Sequence, residues 1–492
     1  MKTPLEPVRF LTTNEMETVH DSALAILSEV GMRIDHDEAL DCLAEAGCEV
    51  NRDARVAKFP RKVVQGWVDR MRREFAERVE PEGMAVRYSQ VRFRAEPLRV
   101  HRDFTVNAGG YNAFIYDLDG VRRRPVLEDT RAALRLVAQL DQITYSGIPC
   151  AAADVPLPLR PVTMVAELVK HTDKLGGIEA LTPADVEWIC RIGEVVRGSS
   201  TELKRRPILV GYAEARTPLC FDRNMVEVYL AYLKRGLPQS LDTMPNCGAT
   251  APMHPAGGLA VGVAETLGGL VLAKAVDAEA VVTVDVTPSF CDMQSGIFRY
   301  AGAERVPLLA ARIQMISEYY GCPSGVHGGK TDSLAPDIRA GVEKGISMLA
   351  PVLCGAIGIG TVGHIENAVT FSPVQLVIDN EIARYVRRAV TGFEVTPETV
   401  DLDLIRRVGI GGNYIEQPET ADLFRDLLNL SPFFAVHPWP VDAADIEARK
   451  MLTLAEQNAR ELMANEVESP LSDDQVREVD KIVADARLTI VE

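Results

Sequence analysis

Several patterns that would assign this 492-residue chain to a common functional class are missing from it. Its nine cysteines include no Cys-x-x-Cys pair, which argues against a structural zinc site and for reduced thiols in a cytoplasm. The 53 Lys and Arg are outnumbered by 70 Asp and Glu, giving a formal charge of −17. Such a chain repels phosphate backbones, so we expect no nucleic acid partner. No Gly-x-Ser-x-Gly elbow follows a predicted strand, which argues against a serine hydrolase.

Long uninterrupted hydrophobic runs are also scarce. Residues 257–276 are apolar but include Glu265 and Lys274, so they predict an amphipathic or buried helix. Residues 345–363 contain no charged side chain. Pro351 and several glycines interrupt this segment, which predicts a helix end, a turn and a buried strand. Residues 1–15 lack the basic and apolar regions of a signal peptide. We therefore expect a cytoplasmic protein that does not span a membrane.

The chain divides into three regions. Residues 1–127 predict helices at 14–30, 37–46 and 60–75 and then short strands at 84–93, 105–106 and 113–117, which together form an α+β cap. Residues 128–420 alternate apolar strands with helices. Residues 421–492 predict a helical, polar tail that packs on the central region or on another subunit, with helices at 442–465 and 473–486.

The central region predicts a (β/α)8, or TIM, barrel. Near-continuously apolar strands that alternate with helices are typical of a parallel sheet covered on both faces. The predicted strands are 143–148, 176–180, 207–212, 239–242, 280–286, 322–327 and 353–359, with an eighth at 402–414. An open doubly wound sheet is the alternative, but it calls for a Gly-x-Gly-x-x-Gly turn after its first strand, and the glycines of 355–360 come late and at the wrong spacing.

Catalytic residues of such barrels lie where the strands end. His254, His327 and His364 fall in loops that follow predicted strands. Lys330 lies in one of the same loops, and it would have to reach inward to act as an imine-forming lysine. No residue is identified as catalytic. Cys247, His254, Cys291 and His327 are too dispersed to predict a metal site, so we expect none.

Aromatic side chains at the same strand ends and in the first region provide another type of candidate. Tyr111, Phe298 and Phe371 present ring faces of the kind that bind a quaternary ammonium, at about 0.5–2 kcal/mol each when desolvated. For each of them the alternative is a place in the hydrophobic core.

An ordered series of segments carries the strongest signal. They are Cys247-Gly-Ala-Thr-Ala-Pro-Met, Ala264-Glu-Thr-Leu-Gly-Gly-Leu-Val-Leu-Ala, Asp292-Met-Gln-Ser-Gly-Ile, Gly302-Ala-Glu, Tyr320-Gly-Cys-Pro-Ser, Gly328-Gly-Lys-Thr-Asp-Ser, Asp337-Ile-Arg-Ala-Gly-Val-Glu, Gly363-His-Ile-Glu, Leu376-Val-Ile-Asp-Asn-Glu and Gly411-Gly-Asn. Along nearly its whole length the chain thus resembles the trimethylamine methyltransferase (MttB) superfamily. The resemblance implies a barrel enzyme that passes a methyl group from a methylamine to the Co(I) corrinoid (cobalamin) of a separate corrinoid-binding protein. It implies no cofactor bound by the chain itself, and we expect a homo-oligomer.

The resemblance also limits the substrate. Archaeal trimethylamine enzymes carry pyrrolysine near the segment that matches residues 328–330, where this chain has ordinary residues. Non-pyrrolysine members of known activity act on quaternary amines such as glycine betaine, proline betaine and carnitine. A quaternary ammonium loses a methyl group by releasing a neutral tertiary amine, so the pocket has to desolvate and align it without a general base.

The resemblance implies His364 and Phe371 as the contacts for the substrate carboxylate and onium group. Lys330, His327 and Arg299 are further candidates for the carboxylate. Tyr111 and Phe298 are weaker aromatic candidates.

Two positions depart from the family pattern. Glu419-Thr420 stands where members often have His-Thr, and Lys330 replaces a small or polar residue. An added cation suits an anionic or longer zwitterionic substrate and disfavours choline. A betaine methyltransferase with a non-corrinoid acceptor, a betaine-binding protein without catalysis and an unrelated barrel lyase remain as alternatives.

Overall fold

The computed structural model describes residues 6–77, 98–176, 180–208, 210–437, 439 and 442–491. Within these ranges the protein has a mixed α/β fold in which helices predominate. Many helices begin at a side-chain cap that the sequence supplies. Thr12 and Thr182, for example, each accept a hydrogen bond from the third residue of the helix that follows, and that residue bonds back to the cap.

Helices make up most of the described structure. In chain order they are Thr13–Ala25, Asp37–Glu45, Arg61–Glu77, Leu127–Gln139, Arg160–His171, Pro183–Arg197, Ser200–Arg205, Arg223–Lys234, Pro255–Val276, Arg305–Ile313, Ile338–Leu353, Pro373–Thr391, Pro397–Val400, Leu402–Val408, Pro418–Leu427, Ala443–Ala448, Met451–Ala464 and Asp473–Val491. The first and the tenth continue as π-helical turns, Ile26–Val30 and Gln314–Tyr319.

The strands are short. In chain order they are Met32–Ile34, Glu49–Asn51, Val56–Lys58, Thr105–Val106, Phe114–Tyr116, Arg122–Arg123, Gly211–Ala215, Cys220–Phe221, Gln239–Thr243, Asn246–Cys247, Val282–Val284, Ser289–Asp292, Ile297–Arg299, Gly358–Ile359, His364–Ile365 and Thr370–Phe371. The first three form a small sheet with Cys220–Phe221, which the sequence analysis did not predict.

Parallel pairings connect the central segments. Gln239–Thr243 lies between Gly211–Ala215 and Val282–Val284, and Gly358–Ile359 pairs with Thr105–Val106. Isolated parallel bridges add Asn107 to Tyr145, Ser146 to Leu175 and Val326 to Ile359. The predicted strands at 239–242 and 280–286 are therefore confirmed. Residues 177–179 and 209, within two further predicted strands, lie outside the described residues, as does all of 84–93.

Two expectations need correction. The eighth strand predicted at 402–414 is wrong, because a helix, Leu402–Val408, begins there. Its apolar residues Leu402, Ile405 and Val408 recur at helical spacing. The strand predicted at 105–106 is confirmed, but it pairs with Gly358–Ile359, 253 residues away, rather than within the predicted cap.

The helix Pro255–Val276 is long and apolar enough to cross a membrane, although 83% of its most apolar stretch is buried inside the protein. Its glycines allow close packing: a Cβ on Gly268 would overlap the Met32 side chain, and one on Gly269 would overlap Leu241. Burial of nearly every side chain makes it a core helix that joins the N-terminal helices to the central sheet, as predicted for residues 257–276.

The C-terminal helices pack on the central region. Ala455 and Ala459 of Met451–Ala464 are fully buried in the cluster that contains Ala133 and Val137, and Arg135 donates from Nε to the Met463 carbonyl at 3.0 Å. Val479, Ile482 and Ala486 of the last helix are buried in a second cluster. The predicted contact between the tail and the central region is confirmed.

Candidate functional site

Two neighbouring segments bring three of the candidate residues to one place. The Val326 N–H donates to the Gly358 carbonyl at 2.9 Å, and the Gly329 N–H donates to the Gly360 carbonyl at 2.9 Å. The two segments therefore run side by side in parallel. Their carboxyl ends carry His327 and Lys330 on one segment and His364 on the other.

His327 faces a carboxylate from the next part of the sheet. Its Nε2 lies 3.8 Å from Oδ2 of Asp242, a buried residue that also accepts a hydrogen bond from the Thr287 hydroxyl at 2.8 Å. Burial lowers the pKa of His327 to about 4, so the imidazole is neutral at pH 7. Its exposed edge, 26% of the side chain, faces a cavity of about 30 Å³.

A second carboxylate, Asp285, lines the same cavity. Arg312 binds it through two hydrogen bonds, of 2.8 Å from Nε and 2.5 Å from a terminal nitrogen. Burial nevertheless raises the pKa of Asp285 to about 6, and the nearby Asp242 adds to the rise. The pKa of Asp242 itself is lowered: burial raises it, but the contacts with His327 and Arg312 outweigh burial. The cavity is thus lined by one firmly ionised carboxylate and one that titrates close to neutrality.

Lys330 reaches inward, as the sequence analysis required of a reactive lysine. Its ammonium lies 4.0 Å from the centroid of the Tyr300 ring, and the residue is buried. Within the described ranges, no carboxylate forms an ion pair with it. Burial, followed by repulsion from Arg305, lowers the pKa of Lys330 to about 7. Lys330 is therefore a desolvated amine, charged for only part of the time at neutral pH.

His364 lies beside a backbone that leaves no room for a side chain. A Cβ on Gly110 would overlap the His364 ring, and the Asn112 amide donates to His364 Nε2 at 3.3 Å. Burial, then repulsion from Lys344 and Lys330, puts the pKa of His364 well below its ordinary value. A neutral imidazole can donate a hydrogen bond to a carboxylate but supplies no positive charge.

A buried ion pair supports the backbone of His364. Lys344 Nζ lies 2.5 Å from Oδ2 of Asp379, and both side chains are fully buried. The same Asp379 oxygen accepts a hydrogen bond from the Gly363 N–H at 2.6 Å. The position of His364 thus depends on a charge pair between the helices Ile338–Leu353 and Pro373–Thr391.

The other predicted site residues do not line the cavity beside His327. Phe371 pairs in register with His364 but is fully buried in an apolar cluster. Phe298 and Arg299 lie on the exposed strand Ile297–Arg299, where Arg299 forms a 3.1 Å ion pair with Glu304. Tyr111 has a φ of +52° and is half-buried next to Gly110.

Sequence reasoning singled out His327, Lys330 and His364 but missed the partners that set their charge states. One feature of the sequence could have indicated Asp242, Asp285 and Arg312. Each is an ionisable residue that lies within an apolar strand or faces one, where such residues are rare. The contact that Tyr300 makes with Lys330 was not predicted either. It depends on the turn that follows Ile297–Arg299, which spacing does not reveal.

One group among the described residues has metal-like geometry, formed by Asp35, Cys220 and Asp222. Arg33 bonds to Asp35 at 3.0 Å and Arg216 bonds to Asp222 at 2.7 Å. Burial raises the pKa of the Cys220 thiol to about 11. Arginines and a protonated thiol do not suit a cation, so this group does not revise the expectation of a chain without metal.

Comparison with known proteins agrees with the sequence resemblance. The family model described as Trimethylamine methyltransferase (MTTB) matches residues 1–489. The chain is 27% identical over 421 residues to a glycine betaine methyltransferase of Desulfitobacterium hafniense (strain Y51), covering 85% of this chain and 84% of that protein. It is 28% identical over 367 residues to the trimethylamine methyltransferase MttB of Methanosarcina barkeri (strain Fusaro / DSM 804), covering 73% and 72%.

The fold is similar to that of a solved structure. A crystal structure of the hydroxylamine complex of MtmB matches with a TM-score of 0.51 at 12% identity, covering 92% of this chain and 88% of that one. At this identity the match concerns the fold alone. The family model, which matches nearly every residue, confirms the resemblance found in the sequence: the chain belongs to the trimethylamine methyltransferase (MTTB) family and is a methyltransferase.

Proposed function

We propose that this methyltransferase moves a methyl group from a quaternary amine that bears a carboxylate, glycine betaine or a related betaine, to the Co(I) corrinoid of a partner protein. The observation that carries the proposal is the buried Lys330 amine, which has no carboxylate paired with it among the described residues and lies beside His327 at the carboxyl ends of parallel segments. The names of the relatives include both glycine betaine and trimethylamine, so the choice between these substrates rests on Lys330.

We propose a (β/α)8 barrel as the scaffold of the site. Eight parallel segments support this: 105–107, 144–146, 174–175, 211–215, 239–243, 282–284, 322–326 and 357–360. Parallel pairing joins six of the eight neighbouring pairs, including the last segment to the first. We retain the division into 1–127, 128–420 and 421–492, but the first strand, Thr105–Val106, moves from the cap into the barrel.

The proposed methyl transfer needs no general acid or general base. The C–N bond of the quaternary amine breaks as the methyl group moves to the cobalt, and a neutral tertiary amine leaves with the bonding electron pair. The Co(I) corrinoid supplies the nucleophile. The residues of this chain exclude water, hold the onium carbon in line and hold the distal carboxylate. The neutral His327 and His364 fit this reaction because neither takes up a proton at pH 7.

Lys330 is proposed as the charged contact for the substrate carboxylate. A carboxylate that approaches Lys330 stabilises the ammonium form and raises its pKa. His364 is proposed as a neutral hydrogen-bond donor to the same carboxylate, and Phe371, Tyr111 and Phe298 remain proposed aromatic contacts. Choline carries the onium group without a carboxylate, so it would meet Lys330 with no compensating attraction. We therefore propose that choline is a poor substrate.

The test is a transfer assay with free cob(I)alamin and with a reduced corrinoid protein, using glycine betaine, proline betaine, carnitine, choline and trimethylamine. Spectral loss of Co(I) with betaines, and little with choline or trimethylamine, is the expected result. Calorimetric binding of betaines without transfer to either acceptor would favour the betaine-binding alternative. Formation of the tertiary amine without cobalt methylation would indicate a different acceptor. No binding of any quaternary amine would refute the proposal.

We further propose that the protein acts in the cytoplasm. The nine cysteines are all free, which suits a reducing compartment. We also propose that the protein is a homo-oligomer, for which one surface provides a specific argument.

A further inference from the structure

Residues 393–430 form a segment without a core of its own, which we call the arm. Its helices Pro397–Val400, Leu402–Val408 and Pro418–Leu427 contain no buried residue. Large apolar side chains throughout the arm are exposed, with Ile410 and Ile415 at 109% and 82%. The exposed set is Phe393, Val395, Val400, Leu402, Ile405, Ile410, Tyr414, Ile415, Leu423, Leu427, Leu428 and Leu430.

Local bonds and caps give the arm its shape. Thr396 and Asp401 cap the first two helices, Arg407 pairs with Glu419, and the Thr420 hydroxyl donates to the Tyr414 carbonyl at 2.7 Å. Arg388 of the helix Pro373–Thr391 ties the far end of the arm back to the body through the Leu427 carbonyl at 2.9 Å. The arm is therefore an ordered segment that extends from the rest of the protein and is bonded back to it at its far end, while its apolar side chains are exposed to solvent.

We propose that the arm packs on a second copy of this chain and is the main interface of a homo-oligomer. A monomeric protein rarely exposes a continuous apolar patch of more than a few hundred Å². At on the order of 100 Å² for each of the twelve side chains, the arm exposes about 1,000 Å², which exceeds the roughly 800 Å² that each partner contributes to a standard stable interface.

The position of the arm argues for a second copy rather than the corrinoid-binding protein, a step that rests on the proposed function. The helix that leads into the arm, Pro373–Thr391, begins beside the site, where the Ser372 N–H donates to the Gly363 carbonyl at 2.8 Å. Near its other end, Arg387 donates from Nε to Gln142 Oε1 at 2.9 Å. Gln142 precedes the strand segment that contains Tyr145.

The arm thus leaves the body at the amino ends of the parallel segments, whereas His327, Lys330 and His364 lie at the carboxyl ends. A helix of 19 residues spans about 28 Å. A protein that has to bring its corrinoid to the carboxyl ends cannot do so while it covers the arm. It would also have to leave after each transfer and expose the arm again, whereas a second copy of the chain stays in place.

The test compares the association state of the full-length wild type, I410E, I415E and the double variant by analytical ultracentrifugation over a wide concentration range. The side chains of Ile410 and Ile415 are 109% and 82% exposed, so their replacement removes little intramolecular packing and circular dichroism should show a retained fold. I338E is the matched control, because Ile338 is also an isoleucine, is 87% exposed and lies outside the arm. We expect an oligomeric wild type and control, and a dissociation constant raised about 30-fold or more in each arm variant.

Hydrogen exchange of the wild type gives a second, independent measurement. Amides of residues 393–430 should become more protected as protein concentration rises, without any corrinoid protein present. A wild type that is monomeric at every concentration, or arm variants that assemble like I338E, would overturn the proposal. Protection that appears only on addition of a corrinoid protein would overturn it in favour of that partner. None of these outcomes depends on methyl transfer, so the arm can fail while the proposed activity stands, and the reverse.

Discussion

If Lys330 binds the substrate carboxylate as proposed, the affinity for that substrate should depend on pH in a defined window. The buried amine has a pKa of about 7, and the proposed contact needs its protonated form. If only that form binds, the apparent dissociation constant is the intrinsic one divided by the protonated fraction. Affinity for glycine betaine should then fall about fivefold between about pH 7 and about pH 8, and approach tenfold for each further unit.

The pKa values of the other titrating groups of the site lie outside this window. His327 has a pKa of about 4 and Asp285 of about 6, and the pKa values of Asp242 and His364 are lowered. Arg312 stays paired with Asp285, and burial with repulsion from Arg312 leaves Arg305 with a pKa of about 10. Between about pH 7 and about pH 9, therefore, Lys330 is the group expected to change charge.

Isothermal titration calorimetry with glycine betaine across this range measures the slope, and buffers of different ionisation enthalpy report the proton taken up by Lys330. Lys330→Met should bind weakly and without a slope, whereas Lys330→Arg, which stays charged, should bind without a slope at higher affinity than Met. Choline is the control ligand, since it lacks the carboxylate and should not lose affinity as pH rises. A wild-type affinity that is flat between about pH 7 and about pH 9, or a slope that survives in Lys330→Met, would refute the assignment.

Three further predictions concern the surroundings of His364. Gly110→Ala should abolish betaine binding in calorimetry because its Cβ would overlap the His364 ring. The control is Gly66→Ala, at a helical glycine with no other atom near its Cβ, which should stabilise the protein by about 0.5–1 kcal/mol. Asp379→Asn or Lys344→Met alone should each lower the free energy of unfolding by about 3–5 kcal/mol in denaturant titrations, because each leaves one buried partner unpaired. The double variant should recover part of the loss. A double variant whose loss equals the sum of the two single losses would contradict a coupled pair. Phe371→Ala should cost about 3–5 kcal/mol of stability as a buried core residue, and a stable variant that has lost only betaine affinity would instead indicate an onium contact.

The parts of the fold that were predictable from the sequence depend on local periodicity. Helices such as Asp37–Glu45, predicted at 37–46, were placed within a few residues because an apolar stripe coincided with signals for the helix ends. The assignment of residues 402–414 failed because a barrel seemed one strand short. In the proposed barrel the remaining strand is Thr105–Val106, whose partner is 253 residues away, and no local pattern reports a pairing over that distance.

The candidate site was predictable to a smaller extent. Placement of His327 and Lys330 near each other follows from their shared loop, which lies at the carboxyl end of one segment. Lys330 is buried there and His327 is partly buried. Their charge states do not follow, because these depend on Asp242, Arg305 and Tyr300, which approach from other parts of the chain. A pKa is set by the three-dimensional surroundings, so residue type and spacing indicate which groups titrate but not where.

The segment Leu376-Val-Ile-Asp-Asn-Glu, one of those that identified the family, illustrates what such a motif reports. Asp379 bonds to Lys344 and to the Gly363 N–H, Asn380 accepts a hydrogen bond from the Gln142 N–H at 2.9 Å, and Glu381 accepts one from the Ser431 hydroxyl. Three consecutive polar residues in a buried helix thus connect it to three other parts of the chain, and none of them lines the cavity beside His327. Burial of such groups is costly unless each is paired, so these residues are constrained by the scaffold whatever the substrate. That is why the motif indicates the family, whose members include both glycine betaine and trimethylamine enzymes, while the proposed function assigns the choice of substrate to Lys330.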